Sequence, residues 1–333
     1  MAWTREAALA ALESNDLLQL GMDADAVRRS LHGDQIATYA VLPRIVFPAL
    51  ADAPSEALIR NAETVLQPNA ARGAADLFPD LFIDLFTDLF LDAAQLFNAA
   101  TLGPATLEAV VGGFAALRAR FPRLRLHGLS AADVLRLARA GDRSPLEALE
   151  RLQAAGLASL EGGGAGLLRD LDNDWVRMHR AAHALGLPTM AELVIGQGEE
   201  LIDRVSHLQA LRALQRETGG FVALTVSIHH VVSAEARREE EATATDYLKT
   251  LAMARLFVEE IEHVQGDWRV QGPKVLGLAL RFGADDAGSI EPQQTGCREP
   301  RHHGGETELR RIIRDAGFRP VERDALFRQS ILH

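Results

Sequence analysis

"RLRLHGLSAADVLRLARAGDRSPLEALERLQAAGLASLEGGGA", Arg123 to Ala165, runs from strand to helix to helix to strand in one short stretch. RLRLHGLS alternates apolar and polar residues as a strand does, whereas SAADVLRLARAG and SPLEALERLQAAG space their apolar residues three and four apart, as a helix with one buried face does. Ser130, and Ser144 with Pro145, stand where helices start. LASLEGGGA closes the run as a strand and a glycine turn.

The alternation continues on both sides. Downstream, DWVRMHRAAHALG reads as a helix, PTMAELVIG as a strand, EELIDRVSHLQALRALQRETG as a helix, FVALTVSIHH as a strand and ATDYLKTLAMARLFVEEI as a helix. VLGLALRFGADD reads as a further strand and its loop, and ETELRRIIRDAGF as a closing helix. Upstream, TREAALAALESNDLLQLG is a helix stopping at Gly21, and DADAVRRSLHGD a second ending near Gly33. IATYAVLPRIVFPAL is a strand limited by Pro43 and Pro48, PSEALIRNAETVL a helix, AAQLFNAA a short buried strand, and GPATLEAVVGGFAALRARF a helix started by Pro104. Such alternation marks parallel βαβ units, and so many in succession favour an α/β fold closed as a (β/α) TIM-type barrel over an open sheet. No linker divides the chain: it reads as one domain, 1–333, with an N-terminal helical segment, 1–34, and a C-terminal loop and helix, 290–333.

Composition narrows the function classes. With 333 residues and 47% hydrophobic content the chain supplies a large core. A formal charge of -11 argues against nucleic acid or an anionic membrane as partner, since phosphate-binding surfaces cluster Lys and Arg. No apolar run reaches the roughly 18 residues of a membrane span, and the N-terminal MAWTREAALAALESND is unlike a signal peptide, so a cytoplasmic location is expected. One cysteine, Cys297, excludes internal disulfides, cysteine-rich zinc sites and any cluster held by several thiolates of this chain.

In a barrel the chemistry sits on the loops after the strands, here 51–56, 98–102, 127–130, 161–167, 196–199, 228–233 and 283–289. Gly162, Gly163, Gly164 and Ala165 form either a ligand-facing turn or a plain tight turn. His229 and His230 leave a strand in succession, so one points to the axis, as a base, a metal ligand or a hydrogen-bonded wall residue. His302 and His303, near Cys297, match no zinc spacing and read as an exposed loop, and no metal site is expected. Trp268, Gln271 and Lys274 precede the VLGLALRF strand, with Asp285, Asp286 and Ser289 behind it, either holding a polar substrate or capping a turn.

The segments RFPRLRLHGLS, LEALERLQAAGLASLEGGGA, MHRAAHALGLPTMAELVIGQGE, HLQALRALQRETGGF, DWRVQGPKVLGLALRFGADDAGS and IRDAGFRPVERDALF together resemble the radical S-adenosylmethionine enzymes of the futalosine route to menaquinone, of the dehypoxanthine futalosine cyclase and aminofutalosine synthase type. The resemblance covers Leu12 to Ile45 and Phe121 to Arg328. It implies a Cys-x3-Cys-x2-Cys motif after the first strand, where three thiolates hold an iron–sulfur cluster that cleaves S-adenosylmethionine. Here Phe47 to Leu58 read FPALADAPSEAL, without cysteine. The family's GGGAE is GGGAG, with Gly166 for the acid; TATMMFGHGE is MAELVIGQGE, which introduces Glu192 and Gln197; and Ser227, Ile228, His229 and His230 replace the usual strand end. Still matching are Gly162 to Ala165, Gln271 and Lys274 in QGPK, and Asp286 in FGADD.

Three readings follow. The first is a cluster-free pseudoenzyme, a non-catalytic partner or ligand-binding homologue with a small-molecule ligand, no cofactor and no 4Fe–4S cluster, S-adenosylmethionine staying an open alternative. The second is an enzyme of non-radical acid–base chemistry on a nucleoside-like or aromatic molecule, through His229 or His230 with Glu192 or Asp286. The third is an active cyclase, for which the ligands are missing. DLFPDLFIDLFTDLFLD, Asp76 to Asp92, repeats Asp-Leu-Phe every fourth residue. On a helix that period overshoots a turn by about 40°, so the apolar stripe winds while Asp80, Asp84, Asp88 and Asp92 stack. The helix, starting near Pro79, either covers the barrel or presents residues 76–92 to a second copy or an active relative.

Overall fold

Pro43 divides the first apolar run, and the division closes the barrel. In the computed structural model, which describes residues 3–47, 54–66, 88–92, 106–163, 166, 173–229, 242–291 and 305–328, β1 (Ile36–Val41) pairs with β8 (Asp286–Ile290), Thr38 opposite Asp286. Past Pro43, β2 (Arg44–Val46) pairs instead with β3 (Asp88–Asp92), Arg44 opposite Phe90. Proline gives no N–H to a ladder, but the Pro43 carbonyl accepts from Phe90 N at 2.9 Å. One bent strand thus changes neighbours. From β3 the ring passes to β4 (Arg125–His127), through the bridges Leu126–Leu157 and Leu160–Thr189 to β5 (Thr189–Ile195), then to β6 (Phe221–Ile228), β7 (His263–Gln265) and back to β8. Every strand pairing among the described residues is parallel, as a (β/α) barrel requires. A further strand, β9 (Arg319–Glu322), lies along the first half of β1.

The helices are α1 (Arg5–Glu13), α2 (Leu17–His32), α3 (Pro54–Leu66), α4 (Leu107–Arg120), α5 (Ala131–Ala140), α6 (Pro145–Ala155), α7 (Asp174–Ala184), α8 (Leu201–Thr218), α9 (Ala244–Phe257), α10 (Trp268–Ala279) and α11 (Glu306–Asp315). Their starts follow the caps: Ser130 accepts from Asp133 N while Asp133 accepts from Ser130 N, and Thr243 and Asp246 do the same for α9. Along β5 burial alternates, with Ala191, Leu193 and Ile195 buried against the helices and Met190, Glu192 and Val194 half-buried toward the axis. No helix among the described residues is long and apolar enough to cross a membrane.

Three sequence readings are corrected. The first helix stops at Glu13, and Asp16 caps a new one that runs through Gly21. Glycine serves packing there, since a Cβ would lie 2.7 Å from the Phe282 ring. The VLGLA of VLGLALRF ends α10, which is kinked at Gly272 and Pro273, and a turn follows; Leu276, Ala279 and Leu280 are buried and Leu278 is exposed. Its leucines also alternate, so the strand period and the helix period compete in this segment. Asp285 and Asp286 therefore precede and begin a strand rather than follow one.

The third correction concerns the repeat. Its last unit is β3, not helix, and Asp88, Leu89, Phe90 and Leu91 are all buried, as in a strand covered on both faces. Those residues are closed to any partner; residues 76–87 and the AAQLFNAA segment lie outside the described residues. Asp88 is tolerable inside because Arg125 Nη2 donates to it at 2.9 Å and His127 Nε2 at 2.8 Å.

The main core fills the space between sheet and helices. A small separate cluster, Ala40, Leu42, Phe90 and Ala325, lies within the barrel. Ala325 comes from the tail after β9, which crosses the barrel at the starts of the strands: Ala325 N donates to Asp88 at 3.1 Å, and Arg323 pairs with Asp286 at 2.6 Å while lying 3.7 Å over the Phe327 ring.

Candidate functional site

At the other end, where the strands finish, the wall is polar. The β5 alternation turns Glu192 to the axis, and β6 brings Ser227 beside it, so that Ser227 Oγ donates to Glu192 Oε1 at 2.9 Å. Gly162 lets the preceding segment approach: a Cβ there would lie 2.9 Å from Glu192 Cβ and N. Gly162→Ala is expected to push β5 outward and cost about 1–3 kcal/mol, read by urea denaturation; unchanged stability would show that β5 has slack.

Glu161 enters the same space. Its Oε1 is out of reach of solvent and has no hydrogen-bond partner. Burial raises the carboxyls of both Glu161 and Glu192 above the usual range, with Arg44 and His127 offsetting part of the rise at Glu161. Across the space the Arg44 guanidinium lies 5.0 Å from the Phe90 ring centroid, and Phe90 stacks on His127 at 5.0 Å. His127 is committed between Asp88 and Ser159, 2.8 and 2.7 Å away. Arg44 Nε is a second buried atom without a hydrogen bond, the Glu291 carboxylate being 3.9 Å off.

Of the residues expected from sequence, Glu192, Gly162 and Gly163 meet here. Gly164, Ala165, His230, Cys297, His302 and His303 lie outside the described residues. His229 is exposed beyond β6. Asp286 is fully buried at the start of β8, held by Arg323, by Thr38 Oγ1 at 2.7 Å and by Gly288 N at 2.8 Å; it is a structural anion and does not face Glu192's partners. Gln271 is half-buried and Lys274 exposed on α10. Sequence reasoning passed over Glu161 and Arg44. The signals were an acid placed directly before a glycine turn and a lone charge within an otherwise apolar strand.

One set of metal-ligating groups comes together among the described residues, His32, His263 and Asp285, at the starts of the strands. The two rings stack, 5.1 Å apart and 28° from parallel, and each is already bonded, His32 Nε2 to the Glu262 carbonyl at 2.9 Å and His263 Nδ1 to Asp285 at 2.6 Å. Arg255 already occupies the Asp285 carboxylate.

The comparisons agree with this architecture. Residues 220–331 match the family described as CofH/MqnC C-terminal region. The chain is 33% identical over 233 residues to cyclic dehypoxanthine futalosine synthase of Streptomyces coelicolor, covering 66% of this chain and 58% of that protein. It is 32% identical over 242 residues to aminodeoxyfutalosine synthase of Thermus thermophilus, covering 64% and 63%. The crystal structure of methylornithine synthase superposes with a TM-score of 0.62 at 13% identity, over 96% of this chain and 94% of that one, a likeness of fold alone. The fold is thus a radical-SAM-like (β/α) barrel. Within that class the chain resembles the menaquinone enzymes of the futalosine route, and the matches span 58% and 63% of those relatives' lengths.

Proposed function

We propose that this protein is a cluster-free relative of the futalosine-route radical S-adenosylmethionine barrels, a pseudoenzyme that binds a small molecule at the barrel mouth. One observation carries the reading: Phe47 to Leu58, which runs from the end of β2 into the first turns of α3, offers no thiolate. Its Asp, Ser and Glu oxygens are hard donors, whereas an iron–sulfur cluster is held by cysteine sulfur. The residues present do not fit the group. A polar mouth with two unpartnered buried atoms, Glu161 Oε1 and Arg44 Nε, supports ligand binding.

The test is iron and acid-labile sulfide, measured on full-length protein purified anaerobically and again after reconstitution. Substoichiometric iron and no cluster spectrum are expected; one cluster per chain that cleaves S-adenosylmethionine would overturn the proposal. A second reading, acid–base chemistry, keeps support only at Glu192, whose raised carboxyl suits a proton carrier. Turnover of a nucleoside-like substrate that disappears in Glu192→Gln would favour it.

A further inference from the structure

Resting on the ligand-binding reading, we infer that the barrel mouth takes a small organic cation, an ammonium or amidinium group, between Glu161 and Glu192. The charges within the barrel leave these two over. Asp88 is matched by Arg125 and Asp286 by Arg323. Neither Glu161 nor Glu192 has an ion pair among the described residues, and Ser227 gives Glu192 only a neutral hydrogen bond.

Two half-buried carboxyls with no bonded cation, Glu161 feeling Arg44 only from a distance, are costly to charge in the empty barrel, and a guest cation removes that cost. Glu161 Oε1, shielded from solvent and lacking a donor, is a vacant acceptor. The glycine turn opens the approach: a Cβ on Gly163 would stand 3.8 Å from Glu192 Oε2, so that oxygen borders a residue without a side chain. A divalent metal fits less well. Among the described residues these acids belong to no set of three ligating groups, and Arg44, which acts on Glu161, opposes a doubly charged ion more than a singly charged one.

The test uses the full chain with benzylamine and benzamidine as probes, benzyl alcohol as the neutral analogue and Mg2+ as the metal, read by thermal shift and calorimetry. Either amine probe is expected to raise the melting temperature where benzyl alcohol and Mg2+ do not. Glu161→Gln and Glu192→Gln should each weaken that binding about tenfold or more, as loss of a charged hydrogen bond does. Without ligand, Glu161→Gln should melt at or above wild type, whereas an acid serving only the fold would melt lower when changed. An equal response to benzyl alcohol, a Mg2+ response lost in Glu161→Gln, or affinity unchanged in both variants would overturn the inference. Native mass spectrometry of the protein as purified separates the two levels. A bound neutral or anionic molecule with no response to the amines removes the cation and keeps the ligand-binding reading; no bound molecule and no response removes both.

Discussion

Asp285→Ala should lose about 3–5 kcal/mol, the range for a buried ion pair stripped of one partner, and so a large share of the roughly 5–15 kcal/mol that holds a domain folded. Arg255 and Asp285 are almost wholly buried. Arg255 donates to the Gly283 and Glu262 carbonyls at 2.8 and 2.7 Å and pairs through Nη2 with Asp285. Asp285 also accepts from Val264 N at 2.7 Å and from His263 Nδ1 at 2.6 Å. Burial would raise this carboxyl, but Arg255 and then His263 outweigh it, and the group is held well below the usual range. Alanine leaves the guanidinium charged, dry and without its anion. The double variant Arg255→Met, Asp285→Leu should recover much of the loss, because no charge is then stranded. Urea denaturation of the three proteins decides it, and an Asp285→Ala within 1 kcal/mol of wild type would refute the account.

Acid should unfold the protein through its imidazoles before its carboxylates. Thr218 Oγ1 donates to the Leu214 carbonyl at 2.8 Å, so it accepts from His183 Nδ1 at 2.6 Å; His183 Nε2 then accepts from Thr189 Oγ1 at 2.7 Å, and Thr189 accepts from His179 Nδ1 at 2.9 Å. His179 Nε2 ends the chain, buried with no partner for a proton. Burial holds His179 well below the ordinary value near 6.5 and pushes His183 and His207 down to about 4. The folded state thus prefers the neutral ring. Its contribution is complete above pH 6.5 and is lost as pH falls from 6.5 toward the folded value. Each fully buried imidazole removes up to about 1.4 kcal/mol per pH unit in that window. His207 alone accounts for about 3 kcal/mol by pH 4. Asp285, lowered when folded, adds its loss only below about pH 4. Melting temperatures at pH 8, 7, 6 and 5 should fall ever more steeply below 6.5, and His207→Gln should flatten the slope; a flat profile down to pH 5 would refute it.

The barrel was legible where one period had no rival. Burial along β5 alternates over its whole length, and Ser130 and Ser144 mark helix starts that the structure keeps. It was illegible where two periods overlapped, as in VLGLALRF, or where a repeat at a near-helical spacing ended in a strand. DLFLD becomes β3 because the gap between β2 and β4 needs a strand buried on both faces, a demand set by neighbours far along the chain. The site was legible in part for a similar reason. Glu192 faces the axis from the middle of β5 and the glycines follow directly on Leu160 and Glu161, but the pairing of Asp286 with Arg323 depends on a tail that returns from the far end of the sequence. A local reading therefore placed Asp286 among the reactive groups.

That returning tail has a consequence for biosynthesis. β1, among the first strands to leave the ribosome, has β9 beside it only once residues 319–322 have been made, and Arg323 must then thread to Asp286. Closure is therefore a late, long-range event, which physical chemistry makes slow and which leaves greasy strand edges uncovered in the meantime. The nascent chain should depend on chaperone shelter until its final segment has emerged.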